Sequence, residues 1–362
     1  MEIEVIGSFL PNEDLMGARL KYDSKQISRQ ELDAIENNAV RDIVERQIEC
    51  GLHYITSGEI RRKHWANDFW FGLEGITCER VDSGRIYQPV EAATDCLRIS
   101  GRISYNPAHT FFADFIFLRD TVKGRAKCRQ TLPSPANLLL EIYNLTEGHP
   151  EMVYPSVELL IDDIAEAYRR TSLRLHELAC DSILLDDTAC GLMCDDNYTK
   201  RLLQGGVDLM ELHRQILTVI NASLEGLPDG METAVYLSGG DTVVPEWEVI
   251  DYPDNIMPKA LSSIKIDKFF LPFDIGNDYS LEVLRHIPDK KKVVLGLIDA
   301  HSPFPDDTAS ITGVILKASK HIAQSSLEIS PRTGFKLSSY AFRGLSSEDQ
   351  WRKIHELNEV FS

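Results

Sequence analysis

Eight short runs rich in β-branched and aromatic residues recur along the chain, and longer amphipathic stretches separate them. Strands that alternate with helices in this way are typical of parallel α/β folds. Eight strands favour a (β/α)8 TIM barrel, and a doubly wound sheet is the second choice. The predicted strands are Glu2–Gly7, His53–Ser57, Cys96–Ile103, Ala126–Thr131, Ser182–Asp186, Glu232–Leu237, Asp267–Phe273 and Lys292–Ile298.

The stretches between the strands carry helix signals. Ser28–Cys50 opens with Ser28 as a candidate N-cap and Glu31 three residues later, which is the pattern of a capping box. One barrel with insertions accounts for all 362 residues, so we predict a single domain over residues 1–362 with an irregular insertion at Glu74–Asp95. The other predicted helices are Ser156–Ala179, Val207–Glu225 and Thr308–Gln324.

Charge and apolar content limit the class of partner. The 38 basic and 56 acidic residues give a formal net charge of −18, which argues against nucleic acid and anionic membranes. No apolar run approaches the roughly 18–20 residues of a membrane span. The N-terminal MEIEVIGSFLP lacks the basic and apolar regions of a signal peptide. We expect a cytoplasmic protein whose partner is a small molecule, and the sequence does not set its oligomeric state.

The cysteines predict neither a disulfide framework nor a zinc ribbon. There are seven of them, an odd number, and no CxxC spacing occurs. The closest pair, Cys190 and Cys194, lies among acidic residues without a nearby His–Cys partner. We therefore expect free thiols.

Polar side chains follow the predicted strands at the points where those strands end. In a barrel the carboxyl ends of the strands converge, and active sites form there. Carboxylates, hydroxyls and one histidine gather at this rim, a combination suited to ligand binding and proton transfer. The strand ends read Ile6-Gly7-Ser8, Ser57-Gly58-Glu59, Asp186-Asp187, Tyr236-Leu237-Ser238, Pro272-Phe273-Asp274 and Asp299-Ala300-His301.

Five segments resemble, in order and spacing, the motifs of one enzyme family. IGSFLP begins at Ile6, ITSGEIRRKHWANDFWFGLEGI at Ile55, LLDDTA at Leu184, GLIDAHSP at Gly296 and SPRTGF at Ser330. Together they resemble the catalytic half of cobalamin-independent methionine synthase and cover nearly the whole chain. The resemblance implies a TIM barrel and a transferase or lyase activity.

The resemblance also implies which residues hold the substrate. In that family an Ile-Gly-Ser backbone, the glutamate of a GE motif and the aspartate of a QIDEP motif grip the amino acid homocysteine. Asp187 and Ser238 stand beside these positions and are added as candidates, although Asp187 could also serve as a cap. The candidate substrate-binding residues are Ile6, Gly7, Ser8, Glu59, Asp186, Asp187 and Ser238.

A catalytic role is implied for the histidine of the DAHSP segment. The family's histidine at this place is associated with a proton of the folate nitrogen, and here the residue is His301. Asp299 stands two residues earlier and is expected to hydrogen-bond the imidazole, which would fix its tautomer. Asp186 and Tyr236 complete the candidate catalytic set. We expect the His301 side chain to share a cavity with Asp186.

The zinc ligands of the family are replaced in this chain. Its H-x-C pair falls on Tyr236 and Ser238, its glutamate on or beside Pro272, and its last cysteine on Thr333. These side chains lack the thiolate and imidazole donors that tetrahedral zinc prefers. We expect no zinc and no other cofactor, and only the resemblance implies methylated folate as a co-substrate.

The preferred interpretation is a metal-independent methyl or alkyl transferase, or a lyase, acting on an amino acid or small carboxylate. One alternative is genuine methyltetrahydrofolate–homocysteine S-methyltransferase activity. A second is chemistry of the related uroporphyrinogen decarboxylase barrels, which the SGE and DAHSP segments fit less well. A third is a binding protein that keeps the amino acid pocket after losing catalysis.

Overall fold

Seven parallel strands form the main sheet, and their spatial order follows their order in the chain. The computed structural model describes residues 1–81, 94–238, 256–273, 275, 278–336 and 345–361. Each strand is hydrogen-bonded in parallel to the next, and helices connect them, as the alternating pattern predicts. The strands are β1 (Tyr54–Ile55), β4 (Lys127–Pro133), β5 (Ser182–Asp187), β6 (Glu232–Leu237), β7 (Lys268–Pro272), β8 (Lys292–Ile298) and β9 (Leu327–Pro331).

The N-terminal segment lies between the last strand and the first. On one side Ile3 forms a parallel bridge with Ile329. On the other side the Thr56 hydroxyl donates to the Gly7 carbonyl over 2.6 Å, and the Phe9 N–H donates to the Gly58 carbonyl over 3.0 Å. This segment takes the place of an eighth strand. The fold is therefore a TIM-barrel-like α/β fold, which confirms the predicted fold class.

One predicted barrel strand belongs to a different sheet. Cys96–Ile103 lies within β3 (Thr94–Ser104), which pairs antiparallel with β2 (Glu74–Val81). The stretch expected to be an irregular insertion therefore begins with a regular strand, and residues 82–93 lie outside the described residues. Antiparallel strands need only a short connection, whereas a parallel crossover needs a helix-length one. The remaining barrel strand is β9, which was not predicted.

The helices occupy the stretches between the strands. The capping box at Ser28 is confirmed, because its side chain accepts from the Glu31 N–H and the Glu31 carboxylate accepts from the Ser28 N–H. The helix predicted to reach Gln324 ends at Ala318. No helix in the described ranges is long and apolar enough to cross a membrane. The helices are α1 (Glu13–Asp23), α2 (Arg29–Glu49), α3 (Asn67–Trp70), α4 (Thr110–Val122), α5 (Pro135–Leu145), α6 (Val157–Glu177), α7 (Ala189–Leu192), α8 (Asp196–Gln204), α9 (Leu209–Leu224), α10 (Ile256–Ser263), α11 (Thr308–Ala318) and α12 (Ser347–Phe361).

The apolar core has two parts. The larger part lies between the strands and the surrounding helices. The smaller part fills the barrel itself with inward-facing side chains, as the alternation of residues along a strand requires. Its members are Ile6, Leu184, Ala234, Tyr236, Phe270 and Val294. The barrel is therefore packed, and ligands have access only at its ends.

A buried ion network fills the barrel at the amino ends of its strands. Arg129 donates to Glu4 over 2.7 Å and to Glu232 over 2.9 Å. The Lys268 ammonium lies 2.7 Å from Glu4 and 2.8 Å from Glu328. Burial acts to raise the pKa of Glu4, but the two cations outweigh it and lower that pKa. Each of these carboxylates lies against a cation, and burial still raises the pKa of Glu328.

Replacing Arg129 with Met should lower the free energy of unfolding by about 3–5 kcal/mol, because it leaves buried carboxylates without their cation. Urea denaturation at neutral pH measures the change. Arg125→Met is the matched control, since Arg125 makes a two-pronged pair with Glu45 at the exposed surface. Equal losses of stability in the two variants would contradict the structural role assigned to the network.

Candidate active site

A sharp turn after the N-terminal segment brings the Ile6-Gly7-Ser8 backbone to the carboxyl end of the barrel. Gly7 has φ +125°, which glycine adopts readily. A Cβ at this position would lie 2.9 Å from methyl carbons of both Thr56 and Thr131. The position therefore requires glycine for its conformation and for its close contact with β1 and β4.

Glu59 lies beside this turn and is held by two donors. Its φ of +54° places it in the left-handed region, where the chain reverses after β1. One carboxylate oxygen accepts from Arg62 over 2.9 Å and from the Thr131 hydroxyl over 2.5 Å. Arg62 also donates to the Thr131 carbonyl over 2.5 Å and packs over the Phe111 ring at 4.5 Å. The carboxylate is thus fixed and paired at the barrel mouth.

Asp186 is the penultimate residue of β5 and lies within electrostatic reach of Glu59. Its backbone carbonyl accepts from Ser134 and Asn137. Within the described residues, no hydrogen-bond donor reaches its carboxylate. Burial raises the pKa of Asp186 well above its ordinary value, and the negative charges of Glu59 and Asp187 raise it further. The structure therefore gathers Glu59 and Asp186 in one cluster and leaves Asp186 without a cation of its own.

Asp187 lies beneath the mouth rather than in it. The residue is fully buried, and one of its carboxylate oxygens accepts from the Cys190 N–H over 2.9 Å. The alternation of side chains along β5 turns it away from the side that Asp186 faces. Its placement corresponds to the capping role considered for it, and not to contact with a substrate.

His301 stands at the same rim and is hydrogen-bonded through its ring to Thr333. Its Nε2 lies 3.0 Å from the Thr333 hydroxyl, which itself donates to the Gly334 carbonyl. Nε2 donates to this hydroxyl in one tautomer of the ring and accepts from it in the other. The Asp299 carboxylate, expected on the ring, instead accepts the His301 backbone N–H over 2.8 Å. The residue that orients Nε2 is therefore Thr333.

The other four candidates are nearly enclosed. Ile6 belongs to the packing inside the barrel. The Ser8 hydroxyl donates to the Lys336 carbonyl over 3.2 Å, and the Tyr236 hydroxyl donates to the Arg332 carbonyl over 2.8 Å. Ser238 directly precedes residues 239–255, which lie outside the described residues. Their relative exposures are 6% for Ile6, 7% for Ser8, 5% for Tyr236 and 6% for Ser238.

Two known proteins match this chain over almost its full length. The uncharacterised protein YxjG of Bacillus subtilis is 26% identical, over 98% of this chain and 92% of its own. A methionine synthase of Saccharolobus islandicus is 22% identical, over 97% of this chain and 93% of its own. No protein-family model matches the chain.

A solved structure extends the similarity to three dimensions. It is a Listeria monocytogenes protein provisionally named a vitamin-B12-independent methionine synthase, with 27% identity and a TM-score of 0.77. The match covers 99% of this chain and 97% of that one. The chain is therefore similar to cobalamin-independent methionine synthases over nearly its whole length. The resemblance predicted from the motifs is thereby confirmed.

The residues that the resemblance sets against the family's zinc ligands are engaged within the protein or have no side-chain donor atom. The Tyr236 hydroxyl donates to a backbone carbonyl, and Thr333 is engaged with His301 and Gly334. Pro272 is a buried residue of β7 and has no side-chain donor atom. Over the described ranges, no three His, Cys, Asp or Glu side chains are grouped so that they could hold a metal ion. Asp274, near Pro272, lies outside the described residues.

Two cations, Arg62 and Lys336, support the cluster of Glu59 and Asp186, and the sequence analysis assigned a role to neither. Arg62 was noted only as part of a basic pair, and Lys336 follows directly after the SPRTGF segment. Lys336 donates to the Glu59 carbonyl over 3.0 Å and to the Arg62 carbonyl over 2.8 Å. Burial, together with the nearby positive charge of Arg19, lowers the pKa of Lys336 to about 8. In the sequence, the signal that points to these two cations is their position within or directly after the family motifs.

The lowered pKa of Lys336 predicts a pH-dependent contribution to stability. The unfolded chain binds this proton more tightly than the folded one, so the contribution rises between pH 8 and the ordinary lysine value of 10.5. The free energy of unfolding of the wild type should therefore gain on the order of 2–3 kcal/mol relative to Lys336→Met across this window. Urea titrations at pH 7.5 and pH 10 measure it. Parallel pH curves for the two proteins would refute the assignment.

Proposed function

We propose that this protein is a metal-independent methyl or alkyl transferase, or a lyase, that acts on an amino acid or another small carboxylate at the barrel mouth. The observation that supports this best is the pair Glu59 and Asp186, two carboxylates in one cluster of which only the first has a cationic partner. Similarity to proteins named methionine synthase supports a transferase. The donor chemistry at the zinc positions supports independence from the metal.

The charge of the cluster favours the amino end of a substrate. An α-ammonium group placed between Glu59 and Asp186 would supply the donors that the Asp186 carboxylate lacks. Arg62 already neutralises part of the charge of Glu59, so one further cation balances the pair. The backbone around Gly7 and Ser8 would line the other side of the amino acid.

His301 would move the proton at the reacting end. An imidazole with an ordinary pKa near 6.5 exchanges protons readily near neutral pH. Thr333 orients the ring through its contact with Nε2. In this scheme the neutral imidazole accepts a proton from the substrate, or from a water next to it. Thr333, at the place of a family zinc ligand, thereby serves proton transfer.

Methyl transfer from methylated folate to homocysteine is the second candidate. The Saccharolobus islandicus relative carries the name methionine synthase, and its match covers nearly the whole of both chains. For this chain the thiol of homocysteine, with a pKa of about 8.5, would need a base in place of the metal. His301 is the candidate for that base.

Calorimetric titration with L-homocysteine and L-methionine tests the binding part of the proposal. Asp186→Asn and Glu59→Gln should each weaken binding by about 10–100-fold, because each removes a charge-assisted hydrogen bond to the ammonium group. Asp181→Asn is the matched control, since Asp181 precedes the same strand at its opposite end and accepts from Cys128. Equal affinities of Asp186→Asn and Asp181→Asn would refute the site.

The same titration has an expected pH dependence. The pKa of Asp186 is raised in the free protein, and only its ionised form attracts an ammonium group. Affinity should therefore increase as the pH rises through the raised pKa, and this increase should be absent in Asp186→Asn. A wild-type affinity that falls with rising pH would favour a ligand whose carboxylate binds a protonated Asp186.

Turnover assays combined with elemental analysis separate the two reactions. The metal-independent proposal predicts methyl transfer to homocysteine, or another turnover, that survives chelation in protein without stoichiometric zinc. His301→Asn should reduce this turnover by a factor on the order of 10²–10⁴ with the fold intact. His321→Asn, an exposed position after α11, is the control. Stoichiometric zinc at the strand ends, required for activity, would instead favour methionine synthase chemistry of the family type.

A further inference from the structure

A lysine of the C-terminal helix anchors the loop that carries His301. Lys353 lies on α12, and its side chain is only 1% exposed. Its ammonium donates to the Phe304 carbonyl over 2.6 Å and to the Asp306 carboxylate over 2.7 Å. The Asp306 side chain is itself 9% exposed, so both charges are removed from solvent. Removal of either partner from such a pair is strongly destabilising, because it leaves an uncompensated charge in the interior.

Hydrogen bonds link this ion pair to the backbone of His301. The second oxygen of Asp306 accepts from the Asp299 N–H over 2.9 Å. One oxygen of Asp299 accepts from the His301 N–H over 2.8 Å. An unbroken chain of contacts therefore runs from the Lys353 ammonium to the backbone amide of His301.

The chain and the ring contact fix His301 at two points. Thr333 determines the direction of the ring at Nε2, and the Asp299 carboxylate holds the backbone from which the ring extends. The Phe304 side chain of this loop is 74% exposed and adds no apolar packing. Polar contacts from α12 hold the backbone at this point instead.

We propose that Lys353 is a positioning residue for His301, acting through its ion pair with Asp306. The inference rests on the catalytic role assigned to His301 in the proposed function. Without the ammonium, Asp306 is an uncompensated buried carboxylate, which must take up a proton or turn toward water. In either case its hold on the Asp299 N–H weakens. The His301 ring then samples orientations other than the one set by Thr333.

The test observes the ring and the loop directly. In protein labelled at histidine ring carbons, the His301 signal among the ten histidines is identified by its loss in His301→Asn. In Lys353→Met this signal should shift or split, and the amides of Asp299 and His301 should exchange with solvent at least about tenfold faster. Lys353→Arg should restore most of the wild-type behaviour, because it keeps a buried cation with several donors.

Two further variants distinguish a specific effect on His301 from a general loss of stability. Lys268→Met removes a buried lysine at the opposite end of the barrel and should leave the His301 signal and loop exchange unchanged. Asp306→Asn keeps the shape of the side chain without its charge, and it provides the same test if Lys353→Met does not fold. Wild-type ring signals and exchange rates in a folded Lys353→Met or Asp306→Asn variant would overturn the proposal.

The result of this test can be distinguished from a failure of the proposed function. Ring signals and amide exchange do not depend on any substrate or turnover. Full turnover in His301→Asn would overturn the catalytic role of His301 and leave its structural coupling to Lys353 intact. Unchanged ring signals in Lys353→Met would overturn the coupling and leave the catalytic role of His301 standing.

Discussion

The position of the N-terminal segment between β9 and β1 is the constraint on which the rest of this structure depends. It has few strand hydrogen bonds, with one bridge at Ile3 and side-chain and backbone contacts around Gly7. Those contacts are sufficient because Gly7 allows the segment to lie directly against Thr56 and Thr131. Without this closure Ser8 would not meet the Gly334 region, and the first and last strand ends would not face one common mouth.

The two ends of the barrel handle buried charge in opposite ways. At the amino ends of the strands, Arg129 and Lys268 balance their carboxylates, and the pKa of Glu4 is lowered. At the carboxyl ends, Asp186 is desolvated beside Glu59, and its pKa is raised. A raised pKa marks a site where the protein alone does not satisfy the charge. Burial also raises the pKa of Glu328 at the amino ends, but its carboxylate lies against Lys268. The first arrangement thus pairs each carboxylate with a cation, and the second leaves Asp186 without one.

The positions that the resemblance sets against the family's zinc ligands carry side chains of a different chemistry in this chain. At Tyr236 and Thr333 the side chains form hydrogen bonds within the protein, and Pro272 continues a buried strand. The cluster around Glu59 depends on other parts of the mouth, mainly Arg62 and Lys336. We propose that binding of an amino acid and activation of its reacting group rest on separate residues, so that the first persists while the second has altered.

Local patterns in the sequence determined much of this protein, including the capping box at Ser28, most of the parallel strands and the strand-end positions of Glu59, Asp186 and His301. These follow from neighbouring residues and from the fixed geometry of parallel strands. Only the tertiary structure assigned Cys96–Ile103 to a hairpin, turned the Asp299 carboxylate to a backbone amide and brought Lys353 to the His301 loop. Strand partners and buried ion pairs join residues far apart in the chain, and their energies depend on burial that no local pattern encodes.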